Sequence, residues 1–165
     1  MQDKNDMQVL YKNVTNPPLF SFNNMKCWVK LLNVHDGDTI TVAIHFNDSF
    51  YKINIRLLGI DTPEIMSKDA EIKKKAKRAR NILVNYLLDQ SILNVDEEYT
   101  TANIKKMLAD ESCLIWIHLF ENDKYGRALG NIYRNPTEVT SASDYMVEQK
   151  LANKYDGGTK CLTFV

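Results

Sequence analysis

From Thr39 to Leu57 apolar side chains fall at every second position, and that period commits the segment to a sheet with one buried face. Ile40, Val42, Ile44 and Phe46 alternate with Thr39, Thr41, Ala43 and His45. After a turn at Asn47-Asp48-Ser49 the same spacing resumes with Tyr51, Ile53, Ile55 and Leu57. An apolar run from Cys27 to Val34 and the tight-turn dipeptide Asp36-Gly37 place a further strand ahead of these, so the segment reads as a three-stranded antiparallel meander. The alternation also places a charge. With Tyr51, Ile53, Ile55 and Leu57 facing the core, Arg56 must stand on the opposite face, where the strand leads into Asp61-Thr62-Pro63-Glu64.

The rest of the chain supplies the cover for that sheet. Residues 1–22 contain Asn-Pro-Pro and little periodicity, and they read as an extended N-terminal arm ahead of one domain over 23–165. Ile72, Ala76, Ala79, Leu83 and Leu87 recur at spacings of four and three, which predicts an amphipathic helix from Asp69 to Leu88. Lys73, Lys74, Lys75, Lys77, Arg78 and Arg80 read as its outer face: a solvated surface, a nuclear address or a phosphate-tracking patch. Asp89 to Ser112 reads as an insertion, with a short helix hinted at by Ile104, Met107 and Leu108. Leu114 to Phe120 and Ala128 to Arg134 read as two more strands, and Ser141 with Asp144 as a capping box opening a helix through Leu151. Five strands and about three helices segregated from them make the fold class α+β.

The chemistry concentrates in three short stretches. Asp61-Thr62-Pro63-Glu64 holds two carboxylates on a proline-stiffened turn, because proline fixes its own φ and keeps the preceding residue extended. Upstream lies Asp36-Gly37-Asp38-Thr39, and downstream Asp123-Lys124-Tyr125-Gly126-Arg127. Two carboxylates sharing a site repel unless a cation bridges them, and an all-oxygen set without histidine or cysteine favours Ca²⁺ or Mg²⁺ over zinc or copper. Asp36-Gly37-Asp38 does not open an EF-hand, since no glutamate closes a loop at Asn47. Arginine forks bind phosphate bidentately, which gives Arg56 and Arg127 a chemistry beyond surface ion pairing.

In this order, the three stretches resemble the staphylococcal nuclease family, from about Val29 to Tyr155. The resemblance implies an OB-fold barrel and a Ca²⁺ ion held by Asp38, Asp61 and the carbonyl of Thr62, with Asp36 in the outer shell. It further implies catalytic roles for Arg56, Glu64 and Arg127, and substrate contacts through Lys124, Tyr125 and Tyr155. The Asp89 to Ser112 segment departs from the compact pattern of that family and reads as a decoration.

The function implied is a sugar-nonspecific endonuclease that hydrolyses single-stranded DNA and RNA to products with 3′-phosphates, with Mg²⁺ as the alternative metal. The competing reading is a non-catalytic OB-fold module binding nucleic acid or protein, but such a module is expected to lose some of the arginines or carboxylates, and all are present. Composition narrows the field further. The 165 residues carry 21 basic and 21 acidic side chains, so any attraction to nucleic acid must be local. The three cysteines, Cys27, Cys113 and Cys161, have neither even number nor metal-ligand spacing and read as free thiols. No stretch approaches the ~20 apolar residues of a membrane span, and the polar start is unlike a signal peptide, so the expectation is an intracellular monomer.

Overall fold

The structure is a computed structural model that describes residues 3–17, 21–110 and 113–157. In chain order it comprises α1 (Lys4–Tyr11), β1 (Lys26–Val34), β2 (Thr39–Phe46), β3 (Ser49–Leu57), β4 (Ile60–Asp61) and α2 (Ala70–Leu88). There follow α3 (Thr101–Asp110), β5 (Leu114–Asn122), β6 (Ala128–Tyr133), α4 (Ala142–Glu148) and β7 (Asn153–Lys154). Strands β1-β2-β3-β6-β5 close into a barrel, antiparallel except where β3 and β6 run parallel. This is the five-stranded α+β barrel expected from the sequence, with four helices among the described residues instead of three.

The period-two pattern is what closes it. Val42, Ile44, Ile55, Leu57, Ile115, Ile117, Leu119 and Ile132 are at most 1% exposed and fill the interior from alternating positions. The β2–β3 hairpin turns on Asn47 and Asp48, both at positive φ (49° and 58°), a two-residue turn whose twist matches that of its strands. The distal end of that hairpin runs past the core. Tyr51 is therefore 49% exposed and not inward as its spacing predicts, and Phe46 lies edge-on to Phe22.

Two further expectations are corrected. Lys4–Tyr11 is not extended but helical, capped by the Asp3 side chain accepting from Asn5 N–H, although it buries no residue. The Asp89 to Ser112 segment, of which residues 111 and 112 lie outside the described residues, is not a decoration. Leu93, Ile104 and Leu108 join the core cluster at 3% exposure or less. Asn81 donates to the Glu97 carbonyl at 2.9 Å, and Asn85 both donates to and accepts from the Leu93 backbone at 2.9 Å, so α2 clamps the connecting chain. Lys77 pairs with Glu98 and Arg78 with Asp96, which neutralises part of the basic face of α2.

Leu108→Ala should accordingly cost about 2–5 kcal/mol of unfolding free energy, the range for emptying a buried leucine site. Replacing residues 90–112 by a short turn should abolish the cooperative urea transition. A deletion variant that unfolds at the wild-type midpoint would return the segment to the status of a decoration.

Candidate active site

Two turns are pressed together to make the site. Gly37 lies so close to Thr62 that a Cβ at position 37 would sit 2.9 Å from Thr62 Cγ2, so only glycine lets the Asp36–Thr39 turn approach the Asp61–Glu64 turn. The Asp36 carboxylate accepts from Asp38 N–H at 3.2 Å, shaping the first turn, and the Asp38 carbonyl accepts from Leu57 N–H at 2.8 Å. The second turn is held from behind by β7, which pairs Asn153 with Asp61 and brings Tyr155 N–H to the Gly59 carbonyl at 2.8 Å.

Arg56 stands between them, on the outer face that strand alternation assigns to it. Its Nη1 donates to Asp38 Oδ1 at 2.9 Å, and its Nη2 to Asp61 Oδ1 at 3.0 Å and to the Ile60 carbonyl at 3.2 Å. Asp38 also accepts from Thr39 Oγ1 at 2.9 Å and, through Oδ2, from Thr62 N–H at 3.2 Å. Asp38 and Asp61 are both 3% exposed. Burial drives the Asp38 carboxyl up to about 7, with the Asp36 charge adding to the shift and Arg56 and Thr39 only partly opposing it. For Arg56 burial works against the charge, yet Asp38 and Asp61 hold its guanidinium above the ordinary value. One guanidinium facing Asp36, Asp38 and Asp61 leaves surplus negative charge in a buried site.

That surplus, the all-oxygen donors and a buried Thr62 Oγ1 that meets no hydrogen-bond partner among the described residues fit a hard cation. Among the described residues no three His, Cys, Asp or Glu side chains converge as a ready-made cluster, and Asp36 acts on Asp38 as a neighbouring charge. Glu64 is exposed, one residue beyond buried Pro63, and its carbonyl accepts from Ser67 N–H at 3.0 Å.

Arg127 belongs to a second group. Ile55 and Ala128 pair across β3 and β6 and point inward, so Arg56 and Arg127 project from the same outer surface. Asp123 accepts from Arg127 Nε at 2.8 Å, Arg127 Nη2 at 2.7 Å, and the Tyr125 and Arg127 N–H groups at 2.9 and 3.0 Å. Burial pushes the Asp123 carboxyl up, but these donors hold it below its usual range. Gly126, at φ +80°, makes the turn. Tyr125 is flanked by Lys124 at 5.1 Å and Arg127 at 5.6 Å from its ring centre, while the Tyr155 ring lies 6.0 Å from the Arg56 guanidinium.

One residue near the site is misassigned by the basic run. Arg80 is 2% exposed, not on the outer face of α2. Its Nη2 donates to the Tyr99 carbonyl at 2.6 Å, and its buried Nε meets no acceptor among the described residues. Burial pulls its pKa down, and the Asp36 charge only partly opposes this. The signal is in its spacing: four residues after Ala76 and three before Leu83, Arg80 falls on the buried stripe.

Two buried carboxylates and a partly buried arginine thus meet at the strand ends of a closed five-stranded barrel. The chain matches the family model for staphylococcal nuclease homologues over residues 54–161, and it belongs to that family. The matched span includes Arg56, Asp61, Glu64 and Arg127 and begins downstream of Asp36 and Asp38. No curated protein sequence matches the chain.

The raised Asp38 pKa carries a sign that can be tested in chelator. The folded state holds this proton more tightly than the unfolded one, so the stability it contributes is complete below about pH 4, where a free aspartate protonates, and is lost as pH rises through about 7. Asp38→Asn should therefore gain on the wild type in urea unfolding between pH 4.5 and 8. Parallel stability curves would show that Asp38 ionises normally.

Proposed function

We propose that this chain is a Ca²⁺-dependent, sugar-nonspecific nuclease that hydrolyses single-stranded DNA and RNA to products carrying 3′-phosphates. The observation that carries this reading is the Arg56 fork between the buried Asp38 and Asp61, whose combined charge, with Asp36, it does not balance. Asp38, Asp61 and the Thr62 carbonyl would hold the ion, which when bound supplies charge neutralisation and polarises a phosphoryl oxygen. Mg²⁺ fits the same donor type, but its demand for strict octahedral geometry makes it the less favoured occupant.

The chain's own residues account for the remaining steps. Arg56 and Arg127 present planar forks from one surface and stabilise the charge that builds on the equatorial oxygens during displacement at phosphorus. Asp123 holds the Arg127 fork in a fixed orientation, so little side-chain freedom is lost when phosphate binds. Glu64, outside the buried pair and open to solvent, orients or deprotonates the attacking water. Lys124 and Tyr125 contact a terminal phosphate, and Tyr155 packs against a base beside Arg56.

End-labelled single-stranded DNA and RNA incubated with the protein should be cut in Ca²⁺ and left intact in chelator. The products should prime polymerase extension only after phosphatase treatment. Full activity in chelator would overturn the reading, and faster cleavage in Mg²⁺ would correct the metal alone. Glu64→Gln should lower kcat by about 10² to 10⁴ with the fold retained, the range for a positioned proton transfer. An unchanged kcat removes Glu64 from the chemistry.

A further inference from the structure

The chain has two tryptophans, Trp28 and Trp116, and the barrel brings them together on its outside. They are register partners across β1 and β5, their rings edge-on with centroids 5.7 Å apart, and Trp116 pairs in turn with Tyr133 of β6. Trp28 is 45% exposed. A cross-strand aromatic pair stabilises a sheet, but that role alone does not explain why a side chain of this size stands half in water.

The charge around the pair is predominantly positive. Val29, Leu31, Ile115, Ile117 and Leu119 point inward, so the outward positions of β1 are Lys26, Trp28 and Lys30, and those of β5 are Leu114, Trp116, His118 and Phe120. The outward positions of β6 are Leu129, Asn131 and Tyr133. Along these three strands the one acidic side chain is Glu121, exposed at the far end of β5 past a register shift, against Lys26 and Lys30 beside Trp28. Lysines flanking a tryptophan along one strand, roughly 13 Å apart at about 3.3 Å per residue, are spaced to follow a polyanion whose bases stack on the rings between them.

This wall is also continuous with the active site. A cleft of about 490 Å³ runs from Gly59 and Ile60, next to Asp61, past Tyr155 and Asn131 to Tyr133, with Lys154 and the carboxylates Asp144 and Asp156 also in its wall. From Tyr133 the register leads one strand further to Trp116 and one more to Trp28. Arg56 is itself the register partner of Leu129, so the outward positions of β6 lie between the arginine and the indole pair.

We propose that Trp28 and Trp116 form a second binding platform on which bases of single-stranded nucleic acid stack, several nucleotides from the bond being cut, with Lys26 and Lys30 holding the phosphates. The direction of the strand rests on the nuclease reading above; the platform itself does not. It makes the enzyme prefer long single strands over short ones through binding, leaving the chemical step alone.

Because both tryptophans lie in the platform, intrinsic fluorescence reports on it without background. In chelator, a thymidine dodecamer should quench the tryptophan emission of the full chain as it binds. Trp28→Ala should weaken dodecamer binding, followed by anisotropy, about tenfold or more, the usual loss for one stacked base. The double variant Lys26→Gln/Lys30→Gln should lower the salt dependence of log K by about 1.4, for two phosphate contacts on a single strand. In Ca²⁺, Trp28→Ala should raise KM for the dodecamer and leave its kcat, and KM for a trinucleotide, within about twofold. Dodecamer binding without quenching, with Trp28→Ala and the lysine pair both within twofold of wild type, would overturn the platform. So would a self-association seen by sedimentation that Trp28→Ala dissolves without any effect on the dodecamer. Quenching without cleavage would keep the platform and remove the nuclease reading, whereas cleavage with an unchanged length dependence would do the reverse.

Discussion

The Arg56 guanidinium joins three parts of the chain through their side chains and one carbonyl. It reaches from β3 to Asp38, at the head of β2, and to Asp61 and the Ile60 carbonyl, in the short β4 that pairs with β7. Removing one partner from such a buried group costs more than the pair contributes, since it strands an uncompensated charge away from water. The barrel supplies this geometry cheaply: Thr39 and Arg56 are register partners across β2 and β3, so alternation alone sets the fork beside the Asp36 turn. Burial first and the Asp36 charge second raise the Asp38 pKa, and Arg56 only partly offsets them.

The insertion meets the site through Arg80. Its side chain is tied to the Tyr99 carbonyl on one side and feels the Asp36 carboxylate on the other, while the chain around Tyr99 is anchored by Asn81, Asn85, Lys77 and Arg78. The helix that covers the barrel thus uses its polar residues to fix a segment whose apolar residues, Ile104 and Leu108, complete the core.

What could be read from the residues follows from which forces are local. Alternation and turn chemistry located the strands, the outward-facing Arg56 and the Ser141 capping box, because each depends on neighbours a few positions away. Spacing along α2 also held the buried position of Arg80, but a run of six cations masks it, since a run suggests a solvated face unless each position is weighed against the helical period. The pairing of Glu98 and Asp96 with that face, and the burial of Ile104 and Leu108, depend on a chain reversal that no local pattern encodes. The Trp28–Trp116 pair shows the same limit: each tryptophan is visible alone, and only barrel closure makes them one surface.

The central claim is that the Arg56-bridged carboxylates form a cation site that closes on a nucleotide, and thermal melts test it most directly. Wild type and Asp38→Ala are melted with and without Ca²⁺ plus a nucleoside 3′,5′-bisphosphate. Binding to the native state adds RT ln(1 + [L]/Kd), about 2.7 kcal/mol at a hundredfold excess over Kd, so the wild type should shift upward with both ligands together and Asp38→Ala should not. Equal shifts for the two proteins, or no shift for either, would contradict the claim that Asp38 and Asp61 are there to hold a cation.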